Sequence, residues 1–496
     1  MLSNRLKTFG TGTVVVLAWT LAFHFEHARA LAAEPPADAR PNILFAIADD
    51  WGWPHAGAYG DPVVQTPTFD RIAREGVLFT RAHVIAPTCT ASRGGILTGQ
   101  AAHRLEFGAN LWSLLPAKFR CYPDILESNG YTVGLTRKGW GPGSLENTGR
   151  SRNPAGPNFR NFAEFFKTVP PDRPFCFWFG TSDPHRPYDK GSGEQAGIDP
   201  AKIAVPPYLP DTPTVRSDIA DYYFEVQRFD RELGEALRLL EEAGRLENTL
   251  IVVTGDNGMP FPKAKATCYD AGTHVPLAVC WKAKVPGGRV VDDFVSLTDV
   301  APTFLEAAGL QPLSEMTGRS LLPILLSQQS GRVDPARDHV FTERERHTCT
   351  RPNDASYPIR SIFTDRWHLI WNLRPDLWPA GNPPEESVGR DYGDIDGSPT
   401  WSEMLERAEE PAIRPFFLAA AGAKRPEFEL YDLQADPGEM VNLAGRPESA
   451  GVQRELLDRL RAWMRETGDP RFLGETDFWD VCPYFGGRPN PPAARP

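Results

Sequence analysis

The sequence predicts an α/β protein in which a large, mixed but mostly parallel sheet lies between helices, followed by a smaller C-terminal α+β subdomain with an antiparallel sheet. Apolar runs of strand length recur through residues 43–254 without polar alternation, as expected for strands buried on both faces of a parallel sheet. Segments with helical spacing separate these runs. From about Ser356 the pattern changes to short alternating strands, which are typical of an antiparallel sheet with one buried face.

The central strands are predicted from four apolar runs, at residues 43–48, 131–135, 175–180 and 248–254. A long amphipathic helix is predicted between a cap at Ser217 and an end at Gly244, because apolar residues recur there every three or four positions. A second helix is predicted within residues 296–310, with Thr298 or Asp299 as its cap. We expect both helices to be structural.

The later part of the chain predicts a strand over residues 338–345 at an edge of the main sheet, and residues 452–467 predict a closing helix. A basic group overlaps and follows the strand, namely Arg344, Arg346, His347 and Arg351. Such a run normally forms a solvated face, but with an anionic substrate it would make Arg346 and His347 candidates for substrate binding. Residues 375–399 are too rich in Pro, Gly and acidic side chains to be regular.

Length and composition predict more than one domain, because 496 residues with 41% hydrophobic content exceed what one compact core usually holds. The predicted organisation is a signal peptide, a large N-terminal domain, the C-terminal subdomain and a Pro-rich tail, at residues 1–32, 38–355, 356–475 and 476–496. The formal charge of −11 argues against nucleic-acid binding. An anionic substrate would therefore need a local basic pocket.

The N-terminus has the order of a secretory signal. Arg5 and Lys7 precede an apolar run over residues 14–23, and small residues follow, with cleavage predicted near Ala30 or Ala32. The alternative, an uncleaved anchor, is disfavoured because the run is shorter than the roughly 20 residues that a spanning helix needs. We expect export to the periplasm or the extracellular space and no membrane segment after cleavage.

The seven cysteines are an odd number for an exported protein, so at least one lies outside any disulfide. Cys89 is the cysteine that we expect to lie outside any disulfide. The pairing of the other six is not determined by the sequence, and a buried free thiol is an equal alternative for several of them.

Polar side chains follow two of the predicted strands directly. Asp49 and Asp50 end the first strand, and Asp256 and Asn257 follow the fourth. Because open α/β sheets bind ligands at the carboxyl ends of their strands, these oxygens would converge if the strands are neighbours, and would bind a hard cation such as Ca²⁺ or Mg²⁺. For Asp49 and Asp50 taken alone, a solvated turn is the alternative.

Three further segments carry candidate anion ligands. Cys89 begins the run CTASR, which ends at Arg93 and leads into a predicted helix. A helix N-terminus favours the binding of anions and lowers the pKa of a thiol. The alternative, a buried and unreactive cysteine, is the commoner outcome for a single Cys. Lys138 lies on a Gly-rich loop at a strand end. His185 lies on a Pro-rich loop after the third strand, where an imidazole could act as a general acid.

These motifs together resemble the sulfatase family of the alkaline phosphatase superfamily over residues 40 to about 470. CTASR followed by LTG resembles the sulfatase signature, DPHRP resembles a further family motif, and ELYDL with the following NLA resembles the family's C-terminal subdomain. Lys265 precedes Tyr-Asp-x-Gly as in the family, with Lys263 as the less favoured alternative, and His274 stands where many members have Arg. FPKAKATCYDAGT, DPHRPY and GDIDGSP most resemble the heparan N-sulfatase (N-sulfoglucosamine sulfohydrolase) branch.

The resemblance implies an alkaline phosphatase-like fold and a shared chemistry. A formylglycine-generating enzyme would oxidise Cys89 to formylglycine (3-oxoalanine), whose hydrate attacks sulfur. Asp49, Asp50, Asp256, Asn257 and residue 89 would bind Ca²⁺, or alternatively Mg²⁺. The other implied catalytic residues are Arg93, Lys138, His185 and Lys265, and the last three would also bind the substrate. Further candidates for substrate binding are Trp140 and His274, at positions of family motifs, and Arg346 and His347, from the basic run.

The sequence departs from the family pattern at three further positions. Ala91 stands where many members have Pro, Gln100 where many have Arg, and Trp140 where the G-K-x-H loop has His. Because indole cannot accept a proton, the role of that His would be dispensed with or supplied elsewhere.

The predicted function is therefore an exported sulfatase that hydrolyses sulfate esters or N-sulfate groups of carbohydrates of the glycosaminoglycan type, such as N-sulfoglucosamine. The oligomeric state stays open. One alternative is a phosphate mono- or diesterase of the same superfamily. The other is a non-catalytic protein that binds sulfated glycans, which the replacement at Trp140 would favour.

Overall fold

The structure is a computed structural model that describes residues 40–474 and 478–487. The predicted signal peptide lies outside the described residues, as do residues 475–477 and 488–496 of the C-terminal region. Among the described residues, no helix combines the length and the apolar character that crossing a bilayer requires.

The strands of the described residues form three sheets. Their bounds are β1 (Asn42–Ala48), β2 (Val77–His83), β3 (Ser113–Leu114), β4 (Thr132–Thr136), β5 (Gly143–Ser144), β6 (Asn158–Phe159), β7 (Phe175–Gly180), β8 (Thr249–Gly255), β9 (His274–Cys280), β10 (Arg289–Val291), β11 (Val295–Ser296), β12 (His339–Arg344), β13 (Ile359–Thr364), β14 (Trp367–Asn372) and β15 (Phe428–Asp432).

The α-helices are distributed along the whole described chain. Their bounds are α1 (Pro67–Glu75), α2 (Cys89–Thr98), α3 (Tyr122–Ser128), α4 (Phe162–Phe166), α5 (Ser192–Gln195), α6 (Pro213–Glu242), α7 (Asp270–Thr273), α8 (Val300–Ala307), α9 (Leu322–Leu326), α10 (Pro399–Glu406), α11 (Arg414–Phe417) and α12 (Ala450–Thr467).

The main sheet has the strand order β10-β2-β9-β8-β1-β7-β4-β6, with β11 also paired to β2. Strands β8, β1, β7, β4 and β6 run parallel, whereas β9 is antiparallel to both of its neighbours. The predicted α/β class with a mixed, mostly parallel sheet is therefore confirmed. The four predicted central strands are adjacent, so their carboxyl ends lie at one edge.

Alternate residues of β1 enter two different cores. Leu44 and Ala46 pack on the side that α6 covers, and Phe45 and Ile47 pack on the side of α2 and α8. This two-sided burial explains the continuous apolar run in the sequence. The sheet therefore lies between layers of helices.

The predicted cap of α6 is wrong. This helix begins about one turn earlier than predicted, at Pro213, and the side chain of Thr212 accepts a hydrogen bond from the amide of Val215. Asp299, one of the two caps predicted for the second helix, does precede α8 directly, although its side chain makes no capping hydrogen bond there. A short 3₁₀ turn comes before α8, and Ser296 caps that turn in a capping box with Asp299.

The second sheet is antiparallel, with the order β12-β13-β14-β15. Its first strand corrects a prediction, because residues 339–344 pair with β13 rather than with an edge of the main sheet. Helix α12 covers one face of this sheet through Leu456 and Leu460. Residues 478–487 of the predicted tail fold back, because the buried indole of Trp479 donates to the carbonyl of Glu106.

Candidate active site

The carboxyl ends of β1 and β8 bring four polar side chains together. The two strands pair in parallel up to Ala48 and Gly255, so the residues that follow them lie side by side. The amide of Asp50 donates to Asp256 Oδ1 over 2.8 Å. One ligand atom from each of Asp49, Asp50, Asp256 and Cys89 lies within 4.8 Å of the others.

Cys89 is the first residue of α2, and its thiol is directed at the acidic pair. Its Sγ lies 3.6 Å from Asp49 Oδ1 and 4.0 Å from Asp50 Oδ1. A helix N-terminus was expected to lower the pKa of this thiol. Burial instead raises the pKa of Cys89 well above its ordinary value, and the carboxylates of Asp256 and Asp49 act in the same direction. The positive charge of Lys138 opposes this shift but does not cancel it. Burial thus disfavours the thiolate form of Cys89.

Arg93, one turn further along α2, forms ion pairs with Asp256 and Asp49. Its Nε donates to Asp256 Oδ2 over 2.7 Å, and Nη2 lies 3.4 Å from Asp49 Oδ1. Its Nη1 donates to the backbone carbonyls of Lys138 and Gly139. Because the guanidinium is fully buried, it fixes the carboxylates and the loop after β4 in one arrangement.

Two lysines contact the acidic pair from other loops. Lys138 Nζ lies 2.5 and 2.6 Å from the two carboxylate oxygens of Asp49. Lys265 Nζ lies 2.7 Å from Asp50 Oδ2 and 2.9 Å from Asp396 Oδ2. Burial raises the pKa of Asp49, but Lys138 and Arg93 outweigh it and leave that pKa below its ordinary value. Burial alone would lower the pKa of Lys265, but the two carboxylates hold it well above its usual range.

His185 reaches the same group from the loop after β7. Its Nδ1 contacts the backbone carbonyl of Arg186, which can only accept, so Nδ1 carries the proton. Its Nε2 lies 3.8 Å from Asp50 Oδ2. With 35% of its side chain exposed, the ring has one edge toward the acidic pair and access to solvent. This arrangement suits proton transfer to a bound molecule.

The donor set fits a hard divalent cation. Asn257 Nδ2 donates to Asp50 Oδ1 and to the carbonyl of Gly258, whereas the buried Asn257 Oδ1 has no hydrogen-bond partner among the described residues. An orphaned buried amide oxygen beside three carboxylates is a set that Ca²⁺ or Mg²⁺ would complete.

An open cleft of about 850 Å³ leads to Asp49, and its wall carries four cationic side chains, Arg137, Lys138, Arg186 and Arg228, beside four acidic ones, Asp49, Asp183, Asp189 and Glu225. Trp140 also lines it, but only 5% of that residue is exposed. The positive charge available to an anionic substrate in this acidic protein is therefore local, with Lys138 directly beside Asp49.

Three predicted substrate-binding residues lie elsewhere. His274 stacks on Trp53, and its ring nitrogens contact Asp270 and the carbonyl of Thr80.

Arg346 is fully buried and donates to backbone carbonyls of Asp354, Asp480 and Cys482. His347 is buried behind Cys89, with its Nδ1 2.8 Å from Thr88 Oγ1, and burial lowers its pKa to about 3. The structure therefore brings neither His274 nor Arg346 to the cleft and gives His347 a supporting position.

No disulfide stabilises the site. Cys89, Cys121, Cys176, Cys268, Cys280 and Cys482 all carry free thiols in the described part of the chain.

Comparison with known proteins identifies the family of this chain. The family model described as Sulfatase matches residues 41–310, more than half of the chain. The chain belongs to the sulfatase family. Residues 263–379 of this sulfatase also match the model described as N-sulphoglucosamine sulphohydrolase, C-terminal.

Its relatives cover most of its length. N-sulphoglucosamine sulphohydrolase of Homo sapiens is 31% identical, over 87% of this chain and 91% of the human protein. An ulvan-active sulfatase of Formosa agariphila is 26% identical, over 90% of this chain and 78% of that protein. Among solved structures, a protein in complex with its substrate D-glucosamine-2-N,6-O-disulfate superimposes with a TM-score of 0.62 and 20% identity, over 87% and 98% of the two chains. The sulfatase is thus a hydrolase of sulfate esters or sulfamates.

Two residues of the site were missed from the sequence. Asp396 comes from the irregular Pro- and Gly-rich segment, and its contact with Lys265 depends on a loop whose path no sequence pattern indicates. Thr88 was not among the predicted site residues, although its hydroxyl connects the start of α2 to His347. The acidic DID tripeptide could have suggested Asp396, but acidic loop residues are usually solvated.

Proposed function

We propose that this sulfatase is exported and removes sulfo groups from glycosaminoglycan-type carbohydrates, with N-sulfoglucosamine as its substrate. The observation that carries the proposal is the position of residue 89, buried at the start of α2 and directed at Asp49 and Asp50. Its place at the head of CTASR, in a chain that belongs to the sulfatase family, supports its oxidation to formylglycine by a formylglycine-generating enzyme. The likeness to the human sulphohydrolase over nearly its whole length supports the sugar.

Formylglycine at residue 89 would supply, as its hydrate, the hydroxyl that attacks sulfur. Lys138 and Lys265 are positioned to donate to the oxygens of the sulfo group, because each presents an ammonium beside the acidic pair. Their charges would stabilise the negative charge that grows on these oxygens in the transition state. Arg93 would hold the carboxylates in place without touching the substrate.

His185 would protonate the departing atom. Its Nδ1 proton is donated to the carbonyl of Arg186, so the ring would act as the acid in its doubly protonated form, giving up the proton on Nε2, which faces the acidic pair. A departing amine or alkoxide needs such an acid, since neither leaves readily as an anion. Lys265 is the second candidate for this role.

A divalent cation, Ca²⁺ or Mg²⁺, would be held by Asp49, Asp50, Asp256, Asn257 and residue 89. When bound it would act as a Lewis acid that lowers the pKa of a coordinated hydroxyl. The orphaned Asn257 Oδ1 is the feature of the chain that supports this site.

Two measurements test the proposal on protein from the native host, or co-expressed with a formylglycine-generating enzyme. Mass spectrometry of the peptide containing residue 89 should give a lower mass than cysteine. Turnover should then be compared on N-sulfoglucosamine and on glucosamine 6-phosphate, with C89A as the control for contaminating activity. Faster turnover of the phosphate would favour a phosphatase, and an unmodified thiol with binding but no turnover would favour a sulfated-glycan-binding protein.

Export has a separate test. The apolar run over residues 14–23 between Arg5 and Ala30 supports a cleaved signal. N-terminal sequencing of the mature protein should start near residue 31 or 33 in the periplasmic or extracellular fraction. A full-length protein in the cytoplasm would contradict export without affecting the proposed chemistry.

A further inference from the structure

Asp396 adds a carboxylate to the substrate side of the site. Its Oδ2 accepts from Lys265 Nζ over 2.9 Å, and one of its oxygens lies within 4.8 Å of ligand atoms of both Asp50 and His185. About a quarter of its side chain, 26%, is exposed. Asp396 is therefore next to the proposed general acid but, unlike Asp50, accessible to a bound sugar.

The loop that carries Asp396 is fixed immediately before it. Asp394, two residues earlier, is buried and accepts from the guanidinium groups of Arg344 and Arg351, as well as from the amide of Thr348. The carbonyl of Ile395 accepts from Arg390 over 2.9 Å. The position of the backbone at Asp396 is thus set by buried ion pairs.

The same loop is also fixed immediately after Asp396. Ser398 caps α10, and Thr400 donates to Asp218 over 2.6 Å. Asp218 in turn accepts two hydrogen bonds of 2.8 Å from Arg186, the residue after His185. The Asp396 loop and the His185 loop are therefore held by a shared carboxylate, which keeps the two side chains in a constant relation.

One oxygen of Asp396 is available. Oδ2 is occupied by Lys265, whereas Oδ1 accepts no hydrogen bond from the described residues. Burial alone would raise the pKa of Asp396, but the charges of Lys265 and His185 outweigh it and hold that pKa well below its usual range. The group is an ionised acceptor, so it needs a hydrogen-bond donor and repels anions.

We propose that Asp396 determines substrate specificity by accepting a hydrogen bond, through Oδ1, from the hydroxyl on the ring carbon next to the one that carries the sulfo group. The inference rests on the proposed function. For a sugar N-sulfated at C2 inside a glycan, the neighbouring oxygen at C1 is glycosidic and has no proton. The donor is therefore the 3-hydroxyl.

The proposal also predicts exclusion. A sulfo group on the 3-oxygen would place negative charge against the Asp396 carboxylate, whose cationic partner Lys265 is already shared with Asp50. Discrimination by repulsion is as effective as discrimination by attraction. The enzyme should thus reject 3-O-sulfated sugars.

The test compares three methyl glycosides of N-sulfoglucosamine: the parent, its 3-deoxy analogue and its 3-O-sulfated analogue. A hydrogen bond to a charged group stabilises by about 1.5–3 kcal/mol, so kcat/KM of the wild-type enzyme should fall about 10- to 100-fold from the parent to the 3-deoxy sugar. In D396A this ratio should shrink to near one. In D396N, which keeps the shape and removes the charge, the 3-O-sulfated sugar should be accepted better relative to the parent than in the wild type.

D391A is the matched control, because Asp391 is exposed on the same loop. It should keep all the wild-type ratios. If D396A lowers kcat/KM equally on the parent and the 3-deoxy sugar, Asp396 only supports Lys265 and the inference is wrong. Failure of the proposed function has a different result, since the wild-type enzyme carrying formylglycine would then not turn over the parent sugar at all.

Discussion

The ammonium of Lys138 lies 2.5 and 2.6 Å from the two carboxylate oxygens of Asp49, although β7 separates their strands in the sheet. The loop of Lys138 crosses the end of β7 at Gly180, where a Cβ would lie only 2.0 Å from the carbonyl oxygen of Lys138. Because Gly180 has no side chain, the loop that carries Lys138 can pass close to β7 and reach Asp49. With 21% of its side chain exposed, Lys138 is accessible from the cleft while Asp49 is buried.

The first prediction concerns Lys138. The K138M variant keeps the stem of the side chain and removes the charge that would face the sulfuryl oxygens. We expect kcat to fall at least about 100-fold, the loss typical of removing one donor to developing negative charge. The measurement is kcat on the sulfated substrate at saturating Ca²⁺.

K167M, at an exposed lysine far along the chain, is the control and should keep wild-type kcat. The formylglycine content of each variant must be equal, since K138M could otherwise lose activity through incomplete maturation. A K138M enzyme with full formylglycine content and wild-type kcat would contradict the role of Lys138.

The second prediction concerns Asn257 and the cation. Replacing Asn257 by Ala removes the orphaned amide oxygen, so calorimetric titration should show Ca²⁺ binding weakened at least about tenfold, the smallest loss expected even for an outer-shell partner. In the wild-type protein, Ca²⁺ at 100 times its Kd should stabilise the fold by about 2.7 kcal/mol. N158A, at an exposed asparagine, is the control. Equal Ca²⁺ affinity in N257A and the wild type would place the cation elsewhere.

The sequence was informative where periodicity and strand ends decide the structure. The strand at residues 175–180 was predicted to the residue, and Asp49 and Asp256 lie side by side as expected for the ends of neighbouring parallel strands. A strand's own pattern does not name its partner, so residues 339–344 were assigned to the wrong sheet.

The direction in which a side chain points was the second feature that the sequence did not predict. A basic run indicates charge, but Arg346 turns inward to backbone carbonyls that are up to 136 positions away in the chain. The contact between Lys265 and Asp396 likewise joins residues 131 positions apart through an irregular loop. Such contacts depend on tertiary packing, for which local sequence carries no periodic signal.

The third prediction concerns Trp140, which stands where the family has His. Its ring packs against Gly143 and Gly94 and is almost fully buried, which makes it part of the wall of the cleft. W140A should lower the free energy of unfolding by about 3–5 kcal/mol, as for other large-to-small changes in a core. W140F should restore most of the stability, and its kcat should stay within about threefold of wild type, because the indole is not expected to exchange a proton.

The comparison of stability with kcat separates the two roles of Trp140. Denaturant unfolding and kcat should be measured on the same samples of W140A and W140F. If W140F is as stable as the wild type but has lost kcat about 100-fold, the indole contacts the substrate and its role is not limited to packing.

The last prediction is a pH dependence from Asp230, which lies on α6 and is nearly fully buried. Its two carboxylate oxygens accept from the amides of Thr68 and Phe69, over 2.9 and 2.8 Å, at the start of α1. Burial nevertheless raises the pKa of Asp230 from 3.8 to about 6, against the opposing effect of these hydrogen bonds. Between these two values the folded state binds more protons than the unfolded state, so the contribution of Asp230 to the free energy of unfolding falls as the pH rises.

The full effect of this shift is about 3 kcal/mol, since each pKa unit corresponds to about 1.4 kcal/mol. The D230N variant has no titrating group at this position, so its free energy of unfolding relative to wild type should improve by about 2–3 kcal/mol between about pH 4 and pH 7. Urea unfolding at both pH values gives the difference, and D172N, at an exposed aspartate, should follow the wild type. If D230N and the wild type change in parallel with pH, the carboxylate is ionised throughout this range and its hydrogen bonds to α1 outweigh its burial.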